Sequence, residues 1–451
     1  MSAKIRKYEN AYTNDIDKYE CIFSYIVGLL CTMNALMLHG YGLYNYVVFC
    51  WIIYKIVKNS RSASSKHSVF FGSNASKFVM LFFISIILSL VASLFVLPQS
   101  WIFNEIKCII KYVFLFCFLF LSYNKKQIFV LFEYFIKGFF IGTIINMFWG
   151  FLQLFLYSIF KFRINTVIFG SLYKNNSQVP LEAWDSYVGG GLLRMKGLGW
   201  ETANFALMMI CGFILCKRFD KNLYLKLFFV LAILLSTSRS GYVAFAVVLL
   251  VMIVQNVFLH NKMIDVKKLL SIVVVLGLLG VVFTVFGNSI MLRVTQMIKS
   301  LFSVLNTTDS AASNSIHISY YENMLTILSN SNPINILFGN GYFSTGYIYS
   351  KNILSLADRI NLIGWNPESD VVTLVVGNGM VGAFIYYAAS LYCFLKHYKD
   401  ELSLMIVAII VEGTTYLLIR GNWPLLMLIF GLATICPSTK LESKENCEAI
   451  K

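Results

Sequence analysis

Charge is scarce in this chain. Only 13% of its 451 residues are Asp, Glu, Lys or Arg, against 58% hydrophobic residues and a mean hydropathy of +0.70. Soluble domains carry about 25% charged residues, so that class is excluded. The alternating segments of about ten residues that mark a transmembrane β-barrel are absent too. The apolar runs instead approach the roughly 20 residues with which a helix crosses a bilayer. The chain reads as an all-α polytopic membrane protein. No two of its ten cysteines stand in CxxC spacing, which removes metal-ribbon and disulfide readings. No A-x-A-like cleavage site follows the first apolar run, so the first span is expected to stay in the mature protein.

The patterning predicts about twelve transmembrane helices, near 20–38, 41–57, 78–97, 106–123, 128–158, 200–216, 223–237, 240–259, 269–287, 370–394, 402–419 and 422–436. The net charge of +15 is spread over short connections rather than one soluble face, which argues for membrane orientation and against nucleic acid. With the N-terminus in the cytoplasm, alternate connections collect Lys55, Lys58, Arg61, Lys66 and Lys77, then Lys125 and Lys126, then Lys217, Arg218, Lys221 and Lys226. Lys262, Lys267, Lys268, Lys396 and Lys399 continue the pattern, so the positive-inside rule puts both termini in the cytoplasm. The expected organisation is a cytoplasmic tail (1–19), helices 1–5 (20–159), an external loop (160–199), helices 6–9 (200–287), a large external loop between helices 9 and 10 (288–369), helices 10–12 (370–436) and a second tail (437–451). The pattern over 319–329 predicts short helices inside the large loop.

The external side has an unusual cation content. Arg163, Arg194, Arg239, Arg293, Arg359 and Arg420 are six of the chain's nine arginines, and all fall there. The positive-inside rule predicts fewer, and a guanidinium is the cation best shaped to hold a phosphate. Interfacial anchoring is the alternative for each one taken singly.

Four constellations carry chemistry. Arg194-Met-Lys196-Gly-Leu-Gly-Trp-Glu201-Thr-Ala-Asn204 brings two cations, a glycine turn and a carboxylate to a helix start, where anions are favoured; Glu201 could equally complement the helix dipole. Ser236-Thr-Ser-Arg239-Ser-Gly241 pins an arginine at a membrane surface, or merely closes a tight hairpin. Gly339-Asn340-Gly341 reads as a turn. Asn366-Pro-Glu368-Ser-Asp370 starts the tenth helix with two carboxylates that either cap it or act chemically, and Gly379 and Gly382 follow as packing residues. His317 has no second ligand near it in sequence, and no metal site is assembled.

In this order, Arg194…Gly197…Asn204, Ser236–Gly241, Gly339-Asn-Gly341 and Glu368-Ser-Asp370…Gly379-x-x-Gly382 resemble the O-antigen polymerase and O-antigen ligase superfamily over roughly residues 190–390. The resemblance implies a GT-C-like fold in the bacterial inner (plasma) membrane, with its active face external or periplasmic. It implies a metal-independent glycosyltransferase, without cofactor, that acts on oligosaccharide linked to undecaprenyl diphosphate, with a chain-length regulator and a flippase as membrane partners. The ligase branch typically has a histidine where this chain has Asn366–Asp370, so the polymerase is favoured: it moves the growing O-antigen or capsular glycan onto the next lipid-linked repeat unit. In that reading Arg194, Arg239, Glu368 and Asp370 are catalytic. Lys196, Glu201, Arg293, Arg359, Arg420 and Asn340 bind substrate. A flippase of lipid-linked oligosaccharide is the rival from another class; Lys137, deep in the fifth span, leans that way, but no two similar halves are seen. A structural or sensor protein is the third.

Overall fold

The computed structural model describes residues 16–33, 36–38, 41–61, 74–94, 96–117, 123, 125–168, 187–188, 192–199, 201–260, 312–353, 356, 360, 366–418 and 423–435. Among them the chain is mostly helical. The strands among the described residues are two minimal antiparallel pairs, Met37–Leu38 with Tyr41–Gly42 and Tyr187–Val188 with Leu192–Leu193. The long helices are α1 (Lys18–Cys31), α2 (Leu43–Arg61), α3 (Asn74–Ser93), α4 (Gln99–Cys117), α5 (Lys125–Phe160), α6 (Thr202–Arg218), α7 (Leu223–Ser236) and α8 (Arg239–His260). Three helices, α9 (Ala312–Ser329), α10 (Pro333–Phe338) and α11 (Thr345–Asn352), occupy the segment expected as a large loop. The set closes with α12 (Asp370–Val372), α13 (Gly379–Lys396), α14 (Glu401–Thr415) and α15 (Trp423–Thr434). The helix expected near 269–287 lies outside the described residues.

Three helices, at 74–93, 127–160 and 379–396, are long and apolar enough to cross a membrane by length and composition; those at 223–236, 239–255 and 423–434 are shorter and apolar. The distribution of residues around α3 shows which solvent it suits. It turns Ser76, Ser85, Ser89 and Ser93 inward and leaves Met80, Leu81, Ile84, Leu88 and Val91 exposed. Water would penalise that apolar face, whereas lipid accepts it, and the inward hydroxyls then bond the protein's own backbone.

The tightest helix pair is α1 on α5. The two run parallel, since Ser24 hydrogen-bonds Leu131 O (2.6 Å) near the start and Asn146 Nδ2 donates to Thr32 O (2.7 Å) near the end. Their backbones touch: a Cβ on Gly28 would fall 2.0 Å from Phe135 O, and one on Gly138 would fall 1.9 Å from Tyr25 O. Between helices in lipid, such close approach gains dispersion where no hydrophobic drive exists.

Charge separates the two ends of the bundle. At one end Lys55 pairs with Glu20 (3.0 Å), Arg218 pairs with Glu133, and Lys217 reaches Glu401 (3.7 Å). The opposite end holds the α7–α8 turn and the far end of α14.

Several expectations are corrected. The fourth helix begins at Gln99 rather than near 106, taking in Glu105, which is wholly buried and accepts the Phe343 N–H (2.9 and 3.0 Å) and the Ser344 hydroxyl (2.7 Å). The tenth span is not continuous. After α12 comes a π-helical turn, Thr373–Gly377, and α13 restarts at Gly379 with φ +72°. The break exists because another segment crosses it: Asn340 N donates to Val376 O (3.0 Å) and Gly377 O (3.1 Å), and the Ser89 hydroxyl donates to Gly377 O. Gly339, at φ +91°, leaves no room for a Cβ, which would lie 2.1 Å from Gly377 O. Gly339-Asn-Gly341 is therefore a crossing strap rather than a plain turn. At Gly382 a Cβ would fall 2.1 Å from the Asn378 side chain, whose amide donates to Ser85 Oγ of α3 (3.0 Å).

Gly138→Leu is expected to force α1 and α5 apart, an overpacking cost of at least about 1–3 kcal/mol. The detergent-extracted protein should melt lower and yield less, whereas Phe148→Leu, on an exposed position of the same helix, should leave both unchanged.

Candidate functional site

The α7–α8 turn is built from its hydroxyls upward. Ser236 returns a hydrogen bond to Ile233 O (2.6 Å) and ends α7, and Thr237 takes the left-handed conformation (φ 51°, ψ 29°). Ser238 Oγ accepts the Gly241 N–H (3.2 Å) at the start of α8. Such a turn strains a β-branched residue, and Arg194 holds it: Nε donates to Thr237 Oγ1 and Nη2 to Thr237 O, both at 2.8 Å. Met195 N also donates to Leu235 O (3.2 Å). The hydroxyls thus close the hairpin, and Arg239, the first residue of α8, stands exposed beside it.

The segment after Arg194 is bolted to α5. Gln153 Oε1 accepts the Gly197 N–H (3.1 Å) and Asn146 Oδ1 the Leu198 N–H (2.7 Å), while Asn165 Nδ2 donates to Gly197 O (2.8 Å). Gly197, at φ +54°, is required here because a Cβ would lie 2.2 Å from Asn146 Oδ1. The glycine lets the chain's own asparagine approach, rather than an anion. Lys196 is buried in this turn.

The turn delivers Glu201 to the loop residue just before α6. Its backbone is extended and its side chain makes no capping hydrogen bond, so as the N-cap residue it meets the helix through the dipole alone. Glu201 is half-buried, and its carboxyl is raised to about 7, first by desolvation, then by the charge of Glu368; Lys196 and Arg194 act in the opposite direction. This places Glu368, Lys196 and Arg194 each within electrostatic reach of Glu201.

Across from them, Ser369 rather than either carboxylate caps α12, accepting the Val372 N–H (3.4 Å). Glu368 is exposed. Asp370 is buried, and its Oδ1 accepts the Leu418 N–H (2.7 Å), tying the start of α12 to the chain beyond α14. Tyr416, at the end of α14, sits within electrostatic reach of Glu201, Glu368, Glu412 and Asp370. One end of the bundle therefore carries Arg194, Lys196, Arg239, Glu201, Glu368 and Asp370 on adjoining loops and helix ends.

Asn340 is the middle residue of the strap: its Nδ2 donates to Val376 O (3.2 Å), and its Oδ1 accepts from Asn335 (2.7 Å). Arg293, Arg359 and Arg420 lie outside the described residues. Lys137 is half-buried in α5, its ammonium 5.9 Å from the Tyr134 ring centre. Among the described residues no group of three or more His, Cys, Asp or Glu is arranged to hold a metal ion.

Sequence reasoning passed over Glu412. It is fully buried in α14, and its Oε1 accepts the Ser240 hydroxyl at 2.6 Å. The signal was present, since an acid inside an apolar run marks a functional site by default.

No curated protein matches the chain. Residues 224–387 match a family model described as O-antigen ligase; that stretch holds the α7–α8 turn, the strap and the broken helix, while the 194–201 segment and Glu412 fall outside it. Over that stretch the chain is similar to the O-antigen ligase family.

Proposed function

We propose that the protein is a glycosyltransferase of the bacterial inner membrane that polymerises lipid-linked oligosaccharide repeat units on the external side. The growing glycan leaves undecaprenyl diphosphate for the next lipid-linked unit, and the product is an O-antigen or capsular polysaccharide. One observation carries the reading: an exposed Arg239 at a braced helix start, on the same bundle end as the Arg194–Lys196 cations and the Glu201–Glu368 carboxylates.

The chemistry follows from those groups. An acceptor hydroxyl attacks the anomeric carbon as the bond to the diphosphate oxygen breaks, and the leaving diphosphate takes the electron pair. Stabilising that charge is the largest catalytic task, and Arg239, exposed at a helix N-terminus, is the group assigned to it. No metal is needed for this role. Arg194, with two donors committed to Thr237, braces the turn and adds positive potential. The hydroxyl proton passes to a carboxylate. Glu201 suits this best, because a base with proton affinity near neutrality is matched to the task, with exposed Glu368 beside it and Asp370 held as a buried tie. Arg293, Arg359 and Arg420 assist at the donor or acceptor.

The ligase reading rests on the description of the matching family model. It differs in acceptor, a lipid A core rather than a second repeat unit. A flippase would bury cations along a path through the bundle, and half-buried Lys137 beside its tyrosine makes no such path alone.

A deletion strain complemented with Arg239→Ala, at wild-type protein level, should lose the long-chain ladder on a polysaccharide gel, with a rate lower by at least about 100-fold. A polymerase leaves single units on lipid or core; a ligase leaves long chains on the lipid and a bare core; a flippase leaves units on the cytoplasmic side. A full ladder from Arg239→Ala would sink the role of Arg239. In membrane vesicles, extension should rise with pH through about 7 as Glu201 loses its proton, because only the carboxylate accepts the acceptor's proton. Glu201→Gln should abolish that ascending limb.

A further inference from the structure

We infer that Glu412 is a positioning residue: through Ser240 it fixes the rotation of the first turn of α8 and so aims the guanidinium of Arg239. The inference rests on the proposed role of Arg239 and extends it to a residue in a different helix, outside the family match.

Glu412 is wholly enclosed where α14 packs on α8 and α6. Its Oε1 accepts the Ser240 hydroxyl at 2.6 Å, and that hydroxyl lies 3.1 Å from Ser238 Oγ. Among the described residues Oε2 has no hydrogen-bond partner, and no cation pairs with this carboxyl. Packing does not require an acid there. An apolar side chain would fill the same volume without the cost of burying a carboxyl, so its value lies in what it holds. What it holds is directional. Successive residues on a helix lie about 100° apart, so anchoring Ser240 toward α14 turns Arg239 away from that helix. A second side of the turn, about 100° further round, is closed by Gly241 against Ala206, where a Cβ would fall 2.5 Å from the alanine methyl. Ser240 and Gly241 together leave α8 one rotation, and Arg239 emerges exposed.

The test uses the full chain in membrane vesicles from the deletion strain, with the strain's own lipid-linked repeat units and variants matched by immunoblot. Glu412→Ala and Ser240→Ala should each slow extension about tenfold, the loss of one buried hydrogen bond. Glu412→Gln, which retains an oxygen for Ser240, should stay within about twofold. In an Arg239→Lys background, where a flexible point charge replaces the oriented fork, Glu412→Ala should matter by less than about twofold. A merely structural role would persist in that background. If Arg239→Ala keeps full rate, the functional reading fails. If Arg239→Ala loses activity while Ser240→Ala and Glu412→Ala keep theirs, the positioning inference alone is overturned. It is overturned equally if Glu412→Ala costs as much beside Lys as beside Arg, or if Glu412→Gln behaves as Glu412→Ala.

Discussion

Every interruption of a helix in an apolar surround frees backbone N–H and C=O groups that have no water to meet, and the protein must answer each one itself. That constraint organises this structure. The π-turn before α13 gives its carbonyls to Ser89 and Asn340, and the loop before α11 gives the Phe343 amide and the Ser344 hydroxyl to Glu105. The 196–198 turn is met by Gln153 and Asn146, Thr237 by Arg194, and Leu418 by Asp370. Among the described residues, buried Ser89, Asn146, Gln153 and Asp370 each face a place where the backbone breaks.

The consequence for function is rigidity at one end. Irregular backbone is usually where mobility enters, yet here the turns that carry Arg239 and Glu201 are each fastened to a helix by side chains from elsewhere in the sequence. A group meant to meet charge only as it develops needs such preorganisation, since a site that must rearrange loses the electrostatic advantage. Arg194 illustrates the division of labour: a cation that reads as a substrate ligand spends donors on holding another cation's platform.

Residue chemistry and spacing were enough to read the all-helical membrane class, most helix positions and the family resemblance, because hydropathy and short ordered motifs are local properties. Glu412 could have been seen and was not, since its partner Ser240 is 172 positions away. The break at Gly379 looked like an ordinary packing glycine, because the segment that crosses it comes from the strap at Gly339, and its sequence looks like a turn. Capping by Glu201, Glu368 or Asp370 was indistinguishable from chemistry in a linear string. Only the geometry shows Ser369 as the cap, Asp370 as a tie and Glu201 as uncommitted to capping.

The sequence by itself determined the solvent and the periodicity: a chain this apolar satisfies its backbone as helices, and its scarce charges collect at helix ends where they cost least. Tertiary structure alone decided which of those charges are structural and which face outward. That assignment depends on distances between segments far apart in the chain, such as Arg194 to Thr237 and Ser240 to Glu412, and no local pattern encodes them.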